Sequence, residues 1–127
     1  MSETADSRLH ALRGAISVAR NEEETILAAT RELMRALMER NGLVAGQIVS
    51  CIFTATTDLN AQFPAVAARD LGLDRVPLLC SQEIDVPGAL ERVIRVLIHY
   101  YAGDGHQPQH VYLGEARSLR SDLESAQ

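Results

Sequence analysis

The chain has 127 residues, with 17 acidic and 12 basic side chains (net charge −5), 46% apolar and 23% charged residues. Those values are ordinary for one folded domain able to bury a core without staples, and no apolar run approaches the roughly 18–20 residues of a membrane span. The acidic balance, the lack of a basic block and an aromatic content of 4% exclude the charge and stacking platforms of a nucleic-acid binder.

Taken in chain order, Met1–Arg8 is polar, with no apolar signal region, and reads as a disordered extension of a cytoplasmic protein. Leu9–Ser17 reads as a strand, and Gly14 inside it marks a bulge or a close backbone approach. Asn21 and Glu24 have the spacing of a capping box, and Glu22 and Glu23 suit the positive end of a helix. Ile26, Thr30, Leu33 and Leu37 then follow the helical period up to Asn41-Gly42. Ile48–Ala55 is β-rich and apolar on both faces, the pattern of a covered central strand.

Thr56–Asn60 is turn-like, and Pro64 opens a helix that Ala65–Leu71 carries to Gly72. Val76–Ser81 is a strand, broken off by Asp85-Val86-Pro87-Gly88. Leu90, Ile94, Leu97 and Tyr101 fall on one face of a predicted helix ending at Gly103. Gly103–Gln109 is a polar loop, His110–Leu113 a short strand, and Glu115–Gln127 a polar tail. The resulting order, β-α-β-α-β-α-β, predicts a single α/β or α+β domain over residues 1–127, with helices packed on a sheet.

All 12 basic residues are arginine. Without lysine there is no Schiff-base chemistry, no pyridoxal-phosphate lysine and no phosphate-binding-loop lysine. Arginine instead grips carboxylates through its planar fork. Cys51 and Cys80 lie far apart and read as reduced thiols, Cys80 becoming reactive only beside a cation. His99, His106 and His110 span a Gly/Pro loop without metal-ligand spacing, so no metal is expected. No G-x-S-x-G elbow is present, and Gly103-Asp104-Gly105 follows a predicted helix rather than a strand, so it is no phosphate fingerprint.

What remains is Arg13, Arg69, Arg75, Arg95, Arg120, Glu83, Asp85 and Tyr112. Arg13 interrupts a strand beside Gly14, Glu83 directly follows an apolar strand, and Arg95 is embedded in an apolar run. On a helix Arg95 would fall beside the core face, one turn after Glu91 and in reach of an ordinary ion pair. The residues alone support an anion site lined by arginines.

ALRGAIS, TDLNAQFPAVAAR, VPLLCSQEIDVPGAL, RVIRVL and HVYLGEARSLRSDL resemble, in sequence and spacing, the AroH-class chorismate mutases, from Leu9 to the C-terminus. The resemblance implies a homotrimer shaped like a pseudo-α/β barrel, with active sites in clefts between subunits. It implies rearrangement of chorismate to prephenate, a pericyclic Claisen shift on the route to phenylalanine and tyrosine, with no cofactor, no metal and no nucleophile.

By resemblance, Arg95 holds a carboxylate and the ether oxygen, Arg13 clamps a carboxylate, Glu83 binds the ring hydroxyl and Tyr112 contacts the side-chain carboxylate. Leu79, Cys80, Ser81, Gln82 and Glu83 line the pocket floor. Phe63, Ala65, Arg69, Leu78, Leu119 and Arg120 supply walls, and the tail 115–127 closes the site. Two positions depart from the pattern: Val66 stands where a related sequence has lysine, and Leu79 where threonine occurs. Two other readings stay open: a YjgF-like enamine/imine deaminase on a similar trimeric scaffold, favouring a reactive Cys80, and a non-catalytic carboxylate-binding module.

Overall fold

Stretches rich in β-branched and apolar residues pair edge to edge, and the segments between them fold back over one side of the resulting sheet. The computed structural model describes residues 7–119. Its strands are β1 (Ser7–Ser17), β2 (Ile48–Ala55), β3 (Leu78–Gln82), β4 (Val93–Gly103) and β5 (Val111–Leu113). They form a single mixed sheet in the order β3-β2-β4-β1-β5. β4 runs antiparallel to both β1 and β2, while β3 lies parallel to β2 and β5 parallel to β1.

The helices are α1 (Glu23–Asn41) and the single turn α2 (Ala65–Ala68). α1 buries Ile26, Leu33, Met34 and Leu37 in one cluster with Leu12, Ile16, Phe53, Ile98, Tyr100 and Val111 of the sheet. Gly14 makes that contact possible: a Cβ built on it would lie 2.7 Å from Leu37 Cδ1. The glycine in β1 therefore marks a close approach, as expected from its place inside a strand. α1 ends where predicted, with Gly42 left-handed at φ 61° and Leu43 N–H donating to Met38 O at 2.9 Å.

Several expectations need correction. The segment after Pro87-Gly88 is no helix but the 11-residue strand β4, so the order is β-α-β-α-β-β-β. Ile94, Val96, Ile98 and Tyr100 are buried on the α1 side, whereas Arg95, Leu97, His99 and Tyr101 alternate onto the other face. Arg95 thus has Ala15 and Thr54 as lateral neighbours, not Glu91 one turn away. The capping box does not form, since Glu22 is the N-cap and makes no side-chain cap bond. Asn21 instead accepts the N–H groups of Asn60 and Ala61 through Oδ1, each at 3.0 Å, tying α1 to the loop after β2.

The helix opened by Pro64 is one turn long, then widens over Arg69–Leu73 and breaks at Gly72, φ 94°. β1 begins at Ser7, so Ser7 and Arg8, expected in a disordered extension, pair with Gly103 and Ala102. Residues 1–6 and 120–127, which carry the rest of that extension, Arg120 and most of the tail, lie outside the described residues.

Candidate active site

The sheet face opposite α1 carries charged and polar side chains. Register places Tyr112, Ala15, Arg95, Thr54 and Ser81 in one row across β5, β1, β4, β2 and β3. Arg13 lies one step along β1, opposite Leu97. Ala15, between Tyr112 and Arg95 in that row, is 1% exposed and packs in a small cluster with Val93 and Ala116, against which Tyr112 and Leu119 lie. A cleft of about 440 Å³ opens there, lined by Arg13, Ala15, Thr54, Glu83, Arg95, Leu97, Tyr112 and Leu119 among others.

Backbone anchors fix these side chains. Glu83 follows β3, and its N–H donates to Ala55 O at 2.9 Å. Its Oε2 accepts Thr54 Oγ1 at 2.9 Å and lies 3.6 Å from Arg95 Nε. Arg92, at the entry to β4, adopts φ 49°, an uncommon left-handed conformation for a residue other than glycine. Both Asp58 carboxylate oxygens accept its N–H, at 3.2 and 3.1 Å, and its Nε donates to Val18 O at 3.1 Å. This corner aims the start of β4, and Arg95 three residues on, at the cleft.

Arg13 is exposed and has no ion-pair partner among the described residues. Its backbone N–H donates to His110 Nδ1 at 3.0 Å. Burial, and then the Arg13 charge, hold the His110 pKa below the ordinary imidazole value. Two guanidinium groups and one carboxylate thus share a half-open cleft, a place where an anion can be held by charge-assisted bonds.

The structure brings Arg13, Glu83, Arg95, Tyr112 and Leu119 together in that cleft. A second cleft of about 380 Å³, at the carboxyl ends of β2 and β3, takes Phe63, Cys80, Ser81 and Gln82. The remaining expected residues stand apart within the chain. Ala65 is 4% exposed in the core, Leu78 packs against the core, and Arg69 is exposed beyond α2. Leu79 projects from the open face at 61% exposure, and Arg120 lies outside the described residues. Asp85 lines a side cleft of about 260 Å³ that shares Glu83 and Arg95 with the main one; Arg75 is exposed and lines none of these clefts.

Sequence reasoning missed Thr54 and Ala15. A lone threonine late in the apolar run of β2 was the available signal for the first; nothing in the sequence marks the second. The histidines diverge: His99 meets Ser50, His106 meets Tyr100 and His110 meets Arg13. Of the two cysteines, Cys51 is buried, which raises its pKa to about 12, and Cys80 is half-buried.

A family profile described as chorismate mutase type I matches residues 9–123. The chain is 49% identical over 118 residues to the chorismate mutase AroH of Thermus thermophilus, covering 91% of this chain and 97% of that protein. It is 40% identical over 117 residues to the chorismate mutase AroH of Bacillus subtilis (strain 168), covering 91% and 92%. A solved chorismate mutase from Clostridium thermocellum superposes with a TM-score of 0.81 at 44% identity, covering 87% of this chain and 99% of that one.

Proposed function

The chain belongs to the type I chorismate mutase family and isomerises chorismate to prephenate in aromatic amino-acid biosynthesis; from that premise we propose that Arg95, Arg13, Glu83 and Tyr112 carry the reaction. The observation behind this reading is their convergence, with Thr54, on a single cleft. Comparison lends no support to the deaminase reading or to the non-catalytic binding reading.

In this reading the chemistry needs no proton transfer. Chorismate is a dicarboxylate whose ether C–O bond breaks as a new C–C bond forms, and negative charge gathers on the ether oxygen. Arg95, held by Glu83, presents its guanidinium where that charge develops, a donor set in place before reaction. Arg13 and Tyr112 bind the carboxylates and Glu83 the ring hydroxyl, folding the enolpyruvyl arm over the ring in a compact, reactive conformer. Interactions made only with the transition state raise kcat, whereas the carboxylate clamp acts equally on the ground state and sets KM.

We also propose a homotrimer. One chain separates the Arg13–Arg95 cleft from the Phe63–Cys80 cleft. Its open sheet face exposes Leu9, Leu79 and Tyr101 at 50%, 61% and 50%. A neighbouring copy laid on that face would cover this apolar surface and close the site with the exposed Phe63 and Arg69, while Ala65 and Leu78 support that wall from the core. In this reading residues 1–127 form one catalytic domain, the tail 115–127 closes the cleft, and no cofactor or metal takes part. We place the enzyme in the cytoplasm, where two free thiols persist; among the described residues no helix is long and apolar enough to cross a membrane.

The direct test is to add pure protein to chorismate and follow its ultraviolet absorbance. Loss of the signal with prephenate as product is expected. Unchanged absorbance, with chorismate bound and recovered intact, would contradict the reading.

A further inference from the structure

His110 has no part in the chemistry above, yet the fold spends several interactions on placing it. It directly precedes β5, whose parallel ladder with β1 pairs only Gly14 with Val111, Ala15 with Tyr112 and Ile16 with Leu113. Past the end of that ladder, Arg13 N–H finds no β5 carbonyl and donates to His110 Nδ1 at 3.0 Å. The preceding residue, Gln109, is clamped on both backbone groups. Its N–H donates to Asn41 Oδ1 at 2.7 Å and its carbonyl accepts Asn41 Nδ2 at 3.0 Å. Asn41 is 8% exposed and also donates to Leu37 O at 2.8 Å, so the clamp is rooted in the end of α1.

Arg13 needs such support. Its side chain is exposed without an ion-pair partner among the described residues, so its aim depends on its backbone. We infer that His110 is a positioning residue for Arg13: its neutral imidazole, fixed by the Asn41–Gln109 clamp, completes the β1–β5 ladder at the residue that grips the substrate carboxylate. The inference rests on the carboxylate role assigned to Arg13 above.

The rung requires an unprotonated Nδ1, with the ring proton on Nε2. In the imidazolium form both nitrogens carry protons, and Nδ1–H would face the Arg13 N–H donor to donor. The charged group that acts on the ring is Arg13 of β1, while the clamp from α1 and the loop before β5, Asn41 and Gln109, is neutral. Acid therefore unties the rung and loosens the grip on substrate.

The test compares wild type, His110→Ala and His110→Asn by steady-state kinetics on chorismate, with melting temperatures alongside. Asparagine Oδ1 can accept the same N–H, so H110N should keep KM within about twofold, whereas H110A should raise it roughly fivefold with kcat little changed. Wild-type kcat/KM should decline as pH falls below the ordinary imidazole pKa of about 6.5, and H110N should lack that decline. Equal KM in wild type and H110A, or the same acid limb in wild type and H110N, would overturn the inference. If H110A does not fold, the two pH profiles decide. A wild type that leaves chorismate unchanged overturns the functional reading itself, a result distinct from normal turnover that is indifferent to His110.

Discussion

Arg95 Nε and Glu83 Oε2 stand 3.6 Å apart across the end of the sheet, and the same carboxylate oxygen accepts Thr54 Oγ1 at 2.9 Å. The Arg95 side chain is 47% exposed and that of Glu83 28%, so the pair adds little to stability. Its consequence is orientation: the carboxylate holds the guanidinium over the cleft before substrate arrives. Glu83→Ala should therefore lower kcat/KM by roughly 10–100-fold, the worth of a charge-assisted bond. Melting should move little, by about 1 kcal/mol or less. Steady-state kinetics with thermal melting checks this; unaltered kcat/KM would remove Glu83 from the site.

In the proposed mechanism Arg13 and Arg95 act on different parts of the substrate. Arg13, if it grips a carboxylate throughout the reaction, contributes mainly to binding. Arg13→Ala should raise KM by roughly tenfold or more, with the smaller effect on kcat. Saturation curves for the variant measure the two parameters separately, and a fall in kcat at constant KM would reverse the assignment.

A side chain on Gly14 would point at α1, and a methyl group there would sit 2.7 Å from Leu37 Cδ1. Gly14→Ala should cost about 1–3 kcal/mol as α1 is pushed off the sheet. A urea titration reads this directly. Wild-type stability in G14A would mean that α1 and β1 are not in such close contact.

Acid should weaken the fold through two histidines. The pKa of His106 is lowered by burial and then by His10, that of His110 by burial and then by Arg13. Both folded values lie below the 6.5 of the unfolded group, so on acidification the unfolded chain takes up protons first. Their contribution is complete above about pH 6.5 and is lost as pH falls from there through the lowered values. Melting temperature should be level from about pH 7 to 8 and decline below about 6.5, and His106→Gln should flatten part of that decline. With no proton transfer in the chemistry, kcat itself should stay level across neutral pH, and a steep bell there would point to acid–base catalysis.

Much of the scaffold was legible in the sequence, and the failures have physical causes. α1 showed its period and its left-handed glycine stop, and β2 its apolar run, because in both the burial pattern is local. β4 was misread because apolar residues fall on both of its faces: Leu97 and Tyr101 face outward beside Arg95 and His99, yet complete a helical spacing with Leu90 and Ile94. The better guide was its content of Val93, Ile94, Val96 and Ile98, residues that favour a pleated strand. Asn21 carried a capping signal, but its amide serves residues 60 and 61, a tertiary use that local spacing does not reveal. The gathering of Arg13, Glu83, Arg95 and Tyr112 followed from family resemblance, because strand register, set by pairing between distant segments, is what aligns them. Thr54, Ala15 and the His110 rung depend on that register too.

In the proposed mechanism Arg95 places a fixed positive charge where the ether oxygen becomes negative, and the kcat of Arg95→Ala reads that role. Removal of one such donor should lower kcat by about 10²–10³-fold, with the fold intact by melting. A folded Arg95→Ala variant whose kcat stays within a few-fold of wild type would mean that the Arg95 charge does not stabilise the breaking ether bond.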